Sequence, residues 1–219
     1  MTGVLLADDQ ALIREGLRMI VEAEPDLHVV AEADTGAAAV TQTLRHRPDV
    51  VLMDIRMPGL DGIEATRRII TAGSPARVLI LTTFDLDEYV YLALKAGASG
   101  FLLKDAERAQ LVNAIRTVHE GDHLLAPGIT RRLIADFCRG PQPGESGATT
   151  AGLSPREVDV IRLLARGLAN AEIAEELFLG ETTVKSHIAR ILAKLDLRDR
   201  LQVVVFAYES GIVRAGGHE

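Results

Sequence analysis

The sequence predicts an α/β protein: a five-stranded, parallel, doubly wound sheet followed by a small all-α domain of four helices. Three observations carry this. Short apolar runs alternate five times with helix-spaced patterns over residues 1 to about 120. A stretch rich in Gly and Pro then interrupts all periodicity. Beyond it the chain restarts with a complete helix-start signal and carries helical patterns only.

The strand runs are Val4–Ala7, His28–Ala33, Val50–Met53, Val78–Leu81 and Ser99–Leu103. Each is short, apolar and bounded by turn or helix signals, as expected of strands buried on both faces. Between and after them, residues 10–23, 36–47, 62–71, 86–96 and 106–119 read as helices. Asp61 with Glu64 after Pro58-Gly59 is a capping-box start, and Gly97 is a helix stop. Residues 1–120 therefore form the first domain.

Residues 121–152 read as a linker. Within it, Ile129, Leu133, Ile134 and Phe137 predict one further helix at 128–138, and 139–152 (RGPQPGESGATTAG) has no apolar period. Residues 153–219 form the second domain. Ser154 is placed to N-cap a helix with Pro155 at N1 and Glu157 closing the box, Leu153 and Val158 forming a hydrophobic staple. That helix stops at Gly167. Asn170 is expected to cap a short helix through Leu177, Phe178-Leu179-Gly180 makes a tight turn, and a longer helix runs from Glu181 to about Leu195. Asp199 and Gln202 begin a fourth helix ending near Gly211. A short helix, a tight turn and a longer basic helix make a helix-turn-helix.

Composition narrows the function. Hydrophobic residues are 47% and charged residues 25% of 219, which is ordinary for a globular chain. No apolar run approaches the roughly 18 residues of a membrane span. The N-terminus lacks the basic region of a secretory signal, so a cytoplasmic protein is expected. The single cysteine, Cys138, excludes an internal disulfide and a multi-cysteine zinc site. The net charge of −7 is uneven. Residues 153–219 hold nine Lys+Arg against ten Asp+Glu, leaving 15 against 21 in residues 1–152. Residues 182–200 carry +3, a weak pointer to nucleic acid.

In a doubly wound sheet, ligands bind at the carboxyl ends of the strands. There the chain places Asp8-Asp9, Asp54, Thr82-Thr83 and Lys104. Alone, an Asp at a strand end is usually a helix cap and a Lys is usually solvated; it is their joint placement on one edge that signals a site. Three carboxylates repel, and a hard dication relieves this. Mg²⁺ uses a few carboxylates and also binds phosphate oxygens. One carboxylate, best Asp54 at the end of the central strand, then accepts a phosphoryl group as an acyl phosphate. Asp8 and Asp9 join Asp54 at the metal, Lys104 neutralises the transferring oxygens and Thr82 hydrogen-bonds the product. Arg56 and Phe84 flank the site.

The segments ADDQ, MDIRMPGLDG, LTTFD and GFLLKD together resemble the receiver domain of bacterial two-component response regulators. The resemblance implies a flavodoxin-like strand order of 2-1-3-4-5. It also implies phosphorylation of Asp54 by a sensor histidine kinase, Mg²⁺ at Asp8 and Asp9, and phosphate sensing by Thr82 and Lys104. Phe101 matches the aromatic switch position and reads equally as a plain core aromatic. Where many receivers have proline after the lysine this chain has Asp105, so no cis bond is expected. The segments LSPREVDVIRLLARGLANAEIAEEL and TTVKSHIARILAKL resemble a LuxR-type helix-turn-helix, and the two resemblances together point to the NarL/FixJ group of transcriptional regulators.

On the helix from Glu181, Val184, Ile188, Ile191 and Leu195 form the inward stripe, with Lys185, Ser186, Ala189 and Arg190 beside or opposite it. Lys185 is placed to read a guanine edge in the major groove, while Ser186 and Ala189 allow close approach. Thr182, Thr183, Arg190, Lys194 and Arg198 are expected phosphate contacts, and any one basic residue reads equally as a solvated face. His187 is expected to be structural or near the DNA backbone. Gly180 stands where the family usually has Ser. Such domains bind inverted half-sites of promoter DNA as homodimers, and RNA polymerase is a candidate partner. Val203, Val204 and Ala207 are either the dimer surface or core. The expected function is a phosphorylation-controlled transcription factor, not a metabolic enzyme, with an off state in which the receiver either covers the recognition helix or leaves it open. A D-x-D phosphatase is disfavoured because Gln10 follows Asp8-Asp9 and Ile55-Arg56 follows Asp54. A regulator whose receiver acts without phosphate is disfavoured by the full acidic set, and a small-molecule sensor by the lack of an apolar pocket signal.

Overall fold

A computed structural model describes residues 1–82, 87–120 and 152–213. The expected helix at 128–138, the linker over 139–151, Cys138, Thr83 and Phe84 lie outside the described residues. The chain divides into two compact units, Met1–Leu124 and Leu125–Glu219. Among the described residues no helix is long and apolar enough to cross a membrane.

The first unit alternates β1 (Thr2–Ala7), α1 (Ala11–Glu22), β2 (Leu27–Ala33), α2 (Gly36–His46), β3 (Val50–Asp54), α3 (Gly62–Thr71), β4 (Arg77–Thr82), α4 (Asp87–Lys95), β5 (Gly100–Leu103) and α5 (Arg108–Glu120). All strands pair in parallel in the order β2-β1-β3-β4-β5, the order the resemblance implies. The strands are apolar on both faces because both are covered. One face (Val4, Leu6, Val50, Leu52, Leu79 and Leu81) packs with Val21 of α1 and with Leu111, Ile115 and Val118 of α5. Alternate residues Leu5, Val51, Met53, Val78 and Ile80 are equally buried and face the side covered by α2 and α3. Each fully buried Leu or Val contributes about 1.5–3 kcal/mol.

Local signals place the helix ends. Asp61 accepts from Glu64 N at 2.8 Å, but the box is only half formed, because the Glu64 carboxylate turns to Arg67 and to Arg68 (3.2 Å). Gly97 stops α4 at φ +101°, where a Cβ would stand 2.8 Å from Ile70. Gly62, first residue of α3, donates its N–H to Ile55 O at 2.8 Å, and a Cβ there would lie 1.9 Å from Asp54 O. Only glycine lets α3 pack this close to the end of β3.

The second unit holds α6 (Pro155–Ala165), α7 (Asn170–Leu177), α8 (Glu181–Leu195) and α9 (Arg200–Glu209). The Ser154/Glu157 capping box forms completely, with Ser154 N donating to Glu157 Oε2 at 2.7 Å. One expectation needs correction. Asn170 is not the cap of α7. Ala169 is, and its N–H donates to Glu172 Oε2 at 2.6 Å, while the Asn170 side chain accepts from Arg200 at 2.8 Å. Of the two readings of Val203 (0% exposed), Val204 (4%) and Ala207 (0%), the structure has them in this unit's own core. Tyr208 OH, also buried, donates to Ala165 O and ties α9 to α6. Phe178 takes the left-handed conformation (φ 54°) that turns the chain from α7 into α8.

Candidate functional site

Strand register brings the first cluster together. Asp54 ends β3 opposite Leu81 of β4, Thr82 ends β4 opposite Leu103 of β5, and Lys104 follows with its N–H donating to Thr82 O at 2.7 Å. Asp8 follows β1 and donates its N–H to Ala33 O of β2 at 3.1 Å. Neighbouring parallel strands ending at one level deliver these side chains to one edge, as the alternation of strands and helices requires.

Lys104 Nζ lies 2.6 Å from Asp8 Oδ2 and 2.9 Å from Asp54 Oδ2. Asp8 is fully buried, Asp54 and Thr82 nearly so, and Asp9 is exposed. Carboxylate oxygens of Asp8, Asp9 and Asp54 all fall within 4.8 Å of one another. Burial pushes the Asp54 carboxyl above its ordinary range; the Lys104 ammonium and the Arg56 N–H pull it down and the Asp8 charge pushes it up, so that a net rise remains. Burial also works against the Lys104 ammonium, yet the contacts with Asp8 and Asp54 outweigh it and raise its pKa. Three carboxylates against one ammonium leave negative charge in a largely buried place. An all-oxygen donor set of this kind suits a hard dication.

Some partners here were not foreseen from sequence. Gln10 N donates to Asp8 Oδ1 at 2.9 Å, and Arg14 Nη1 donates to Asp8 O at 2.8 Å. Backbone donors carry no residue signature, and Arg14 reads in sequence as one more polar position of a helix. Arg56 is exposed, its guanidinium 5.9 Å from the centre of the Tyr89 ring. Phe101 is 2% exposed, within the sheet beside Ile80. No described peptide bond is cis, the Lys104–Asp105 bond included.

The second cluster lies on α8. Val184 and Ile191 are fully buried, with Ile188, Leu192 and Leu195 packed beside them. Thr182, Thr183, Lys185, Ser186, Ala189 and Arg190 are all exposed. Ser186 Oγ donates to Thr182 O at 2.9 Å, which sets its rotamer along the helix. Lys185 and Arg190 have no ion-pair partner among the described residues, so their charges face outward. Lys194 is exposed, and its ammonium is engaged by Glu157 Oε2 at 2.7 Å and Gly152 O at 2.9 Å. Arg198 is half-buried, and Arg200 reaches back to Leu168 O and Asn170. His187 is half-buried, its Nδ1 enclosed without a hydrogen-bond partner.

Comparison with known proteins finds a family match over each of the two domains. The family model "Response regulator receiver domain" matches residues 4–116, and "Bacterial regulatory proteins, luxR family" matches residues 151–207. The chain is 41% identical over 211 residues to the uncharacterized transcriptional regulatory protein YxjL of Bacillus subtilis (strain 168), covering 96% of this chain and 97% of that one. It is 39% identical over 213 residues to the transcriptional regulatory protein LiaR of the same organism, covering 97% and 100%. Among solved structures, the response regulator ChrA of a heme-sensing two-component system is 37% identical, with a TM-score of 0.52 over 97% of this chain and 98% of that one. The chain therefore belongs to the DNA-binding response regulators of two-component systems, with a receiver domain joined to a LuxR-type helix-turn-helix.

Proposed function

We propose that Asp54 accepts a phosphoryl group from the phosphohistidine of a sensor kinase and that this drives homodimerisation and promoter binding. The observation that supports it best is the buried Lys104 ammonium held between Asp8 and Asp54 at 2.6 and 2.9 Å. An Asp54 oxygen attacks phosphorus, the new P–O bond forms as the P–N bond to the kinase imidazole breaks, and the imidazole leaves with the electron pair. Asp8, Asp9 and Asp54 are the residues that would hold Mg²⁺, which when bound supplies positive charge to the phosphoryl oxygens. Lys104 shifts from the Asp54 carboxylate to a phosphoryl oxygen and keeps its hold on Asp8. The Thr82 hydroxyl, nearly buried at the end of β4, donates to another. Phosphorylation adds about −1.5 to −2 charge beside a carboxylate cluster. Movement of Thr82 and Lys104 toward it repacks Phe101, two strand positions from Leu103, and carries the change to the face of β5.

On α8, Lys185 reads a base edge, Ser186 and Ala189 allow close approach, and Thr182, Thr183 and Arg190 hold phosphates. Lys194 is assigned to the fold of its own domain.

The deciding experiment is intact mass after incubation with acetyl phosphate and Mg²⁺, wild type beside Asp54→Asn. One added phosphoryl group in wild type only is expected. No gain in wild type under acetyl phosphate, followed by no change of oligomeric state with beryllofluoride, would favour the other reading, a regulator whose receiver works without phosphate.

A further inference from the structure

We propose that Arg14 is a positioning residue for the metal-binding loop, orienting the Asp8–Asp9 peptide by gripping its carbonyl from α1. The inference rests on the reading that Asp8, Asp9 and Asp54 hold Mg²⁺. The geometry is specific. The polar atoms of Asp8 are held by three hydrogen bonds and one ion pair: its N–H donates to Ala33 O, Oδ1 accepts from Gln10 N, its carbonyl accepts from Arg14 Nη1 at 2.8 Å, and Oδ2 pairs with the Lys104 ammonium. Asp9 differs, being exposed and without a side-chain hydrogen bond among the described residues. The Asp8 carbonyl and the Asp9 N–H belong to one planar peptide unit. Fixing that carbonyl therefore sets where the Asp9 side chain starts, and Asp9 is the one member of the triad whose side chain has no hydrogen bond or ion pair among the described residues.

Arg14 is itself held. Its Nε lies 3.4 Å from Glu32 Oε2, and Arg18, one turn further along α1, pairs with the other Glu32 oxygen. Arg14 is 18% exposed and Glu32 27%. The planar fork lets one guanidinium serve the carbonyl and Glu32 together, which an ammonium on a flexible stem does not reproduce.

Position and charge make opposite predictions. A positive guanidinium next to the carboxylates repels a dication, so by charge alone its removal tightens Mg²⁺ binding. By position its removal weakens it, since outer partners of metal sites typically carry 10–100-fold in affinity. Arg14→Lys keeps the charge and loses the fork, which separates the two. The test is the Mg²⁺ dissociation constant of the full-length protein by calorimetry, for wild type, Arg14→Lys, Arg14→Gln, Glu32→Gln and Arg18→Gln, with thermal unfolding of each. Weakening by about tenfold is expected for both Arg14 variants. A smaller weakening is expected for Glu32→Gln, and less again for Arg18→Gln, which does not reach Asp8. The rate of phosphoryl gain from acetyl phosphate should recover at saturating Mg²⁺ in Arg14→Lys. Unchanged affinity in Arg14→Lys, or tighter binding in Arg14→Gln, overturns the proposal. If the Arg14 variants do not fold, unchanged affinity in Glu32→Gln overturns it and leaves Arg14 as a brace of the fold. A wild type that does not bind Mg²⁺ sinks the metal reading itself, a failure distinct from one confined to the variants.

Discussion

At the scale of residues, the difference between the two clusters is burial. Asp8 and Asp54 sit in the sheet edge and lose water, which is why one ammonium serves both and why Asp54 resists ionisation. Lys185 and Arg190 are exposed and have no ion-pair partner among the described residues. This separates the basic residues of 182–200 in a way that composition does not. Lys185→Ala should lose about 1–3 kcal/mol of specific DNA binding with a smaller loss on unrelated DNA. Arg190→Ala should flatten the salt slope of binding by about 0.9 unit. Lys194→Ala should leave that slope unchanged and lower the stability of its domain, because its ammonium already neutralises Glu157. Competition binding across a salt series reads all three, and a slope change with Lys194→Ala would return that residue to the DNA face. The acidic cluster was readable because strand ends are readable. The hold of Lys194 on Glu157 was not, since the two are 37 residues apart and only packing brings them together.

At the scale of elements, glycines and caps decide how close the pieces approach. Gly62 lets α3 start against the Asp54 carbonyl, where a methyl group would stand 1.9 Å from the oxygen. Gly62→Ala should destabilise the first domain by about 1–3 kcal/mol or more and slow phosphoryl uptake by moving the end of β3. Gly16, on the exposed side of α1 with open space around it, is the contrast: Gly16→Ala should stabilise by about 0.5–1 kcal/mol. Urea unfolding of both variants checks the pair. In the second domain the Lys194 ammonium and the Ser154 backbone hold the Glu157 carboxyl down to about 2 from an ordinary 4.5. A folded pKa below the unfolded one stabilises above pH 4.5, and that contribution is lost as pH falls from there toward 2. The stability gap between wild type and Glu157→Gln should therefore narrow over that interval; a gap constant across it would remove Glu157 from the acid response. The helix starts were legible where a side chain declares itself, as Ser154 and Asp61 do. They were misread at Asn170, where a good capping residue is drawn off by Arg200 and Glu172 supplies the acceptor from within α7.

At the scale of the whole molecule, a receiver domain is joined to a LuxR-type helix-turn-helix. Residues 1–152 carry six more acidic than basic residues, while the outward face of α8 shows Lys185 and Arg190 to solvent. Coupling of the two should appear as tighter promoter binding after phosphorylation, about tenfold for a coupling of about 1.4 kcal/mol, within the usual 1–3 kcal/mol. Gel-shift titration with and without acetyl phosphate, beside sedimentation velocity, measures affinity and association together. Equal affinity in a chain shown to be phosphorylated would uncouple the domains. Val203, Val204 and Ala207 are spent on the core of the second domain. By itself the sequence determined the alternation of strands and helices, the two domains, the strand-end acids with Thr82 and Lys104, and the outward face of α8. These follow from local periodicity and from the rule that parallel strands end at one edge, both of which are written along the chain. Tertiary structure alone decided that Arg14 grips the Asp8 carbonyl, that Lys194 pairs with Glu157, that Ala169 and not Asn170 caps α7, and that the α9 valines are core. Each of these is a choice among partners distant in sequence, and which partner a charge or an apolar side chain finds is set by packing.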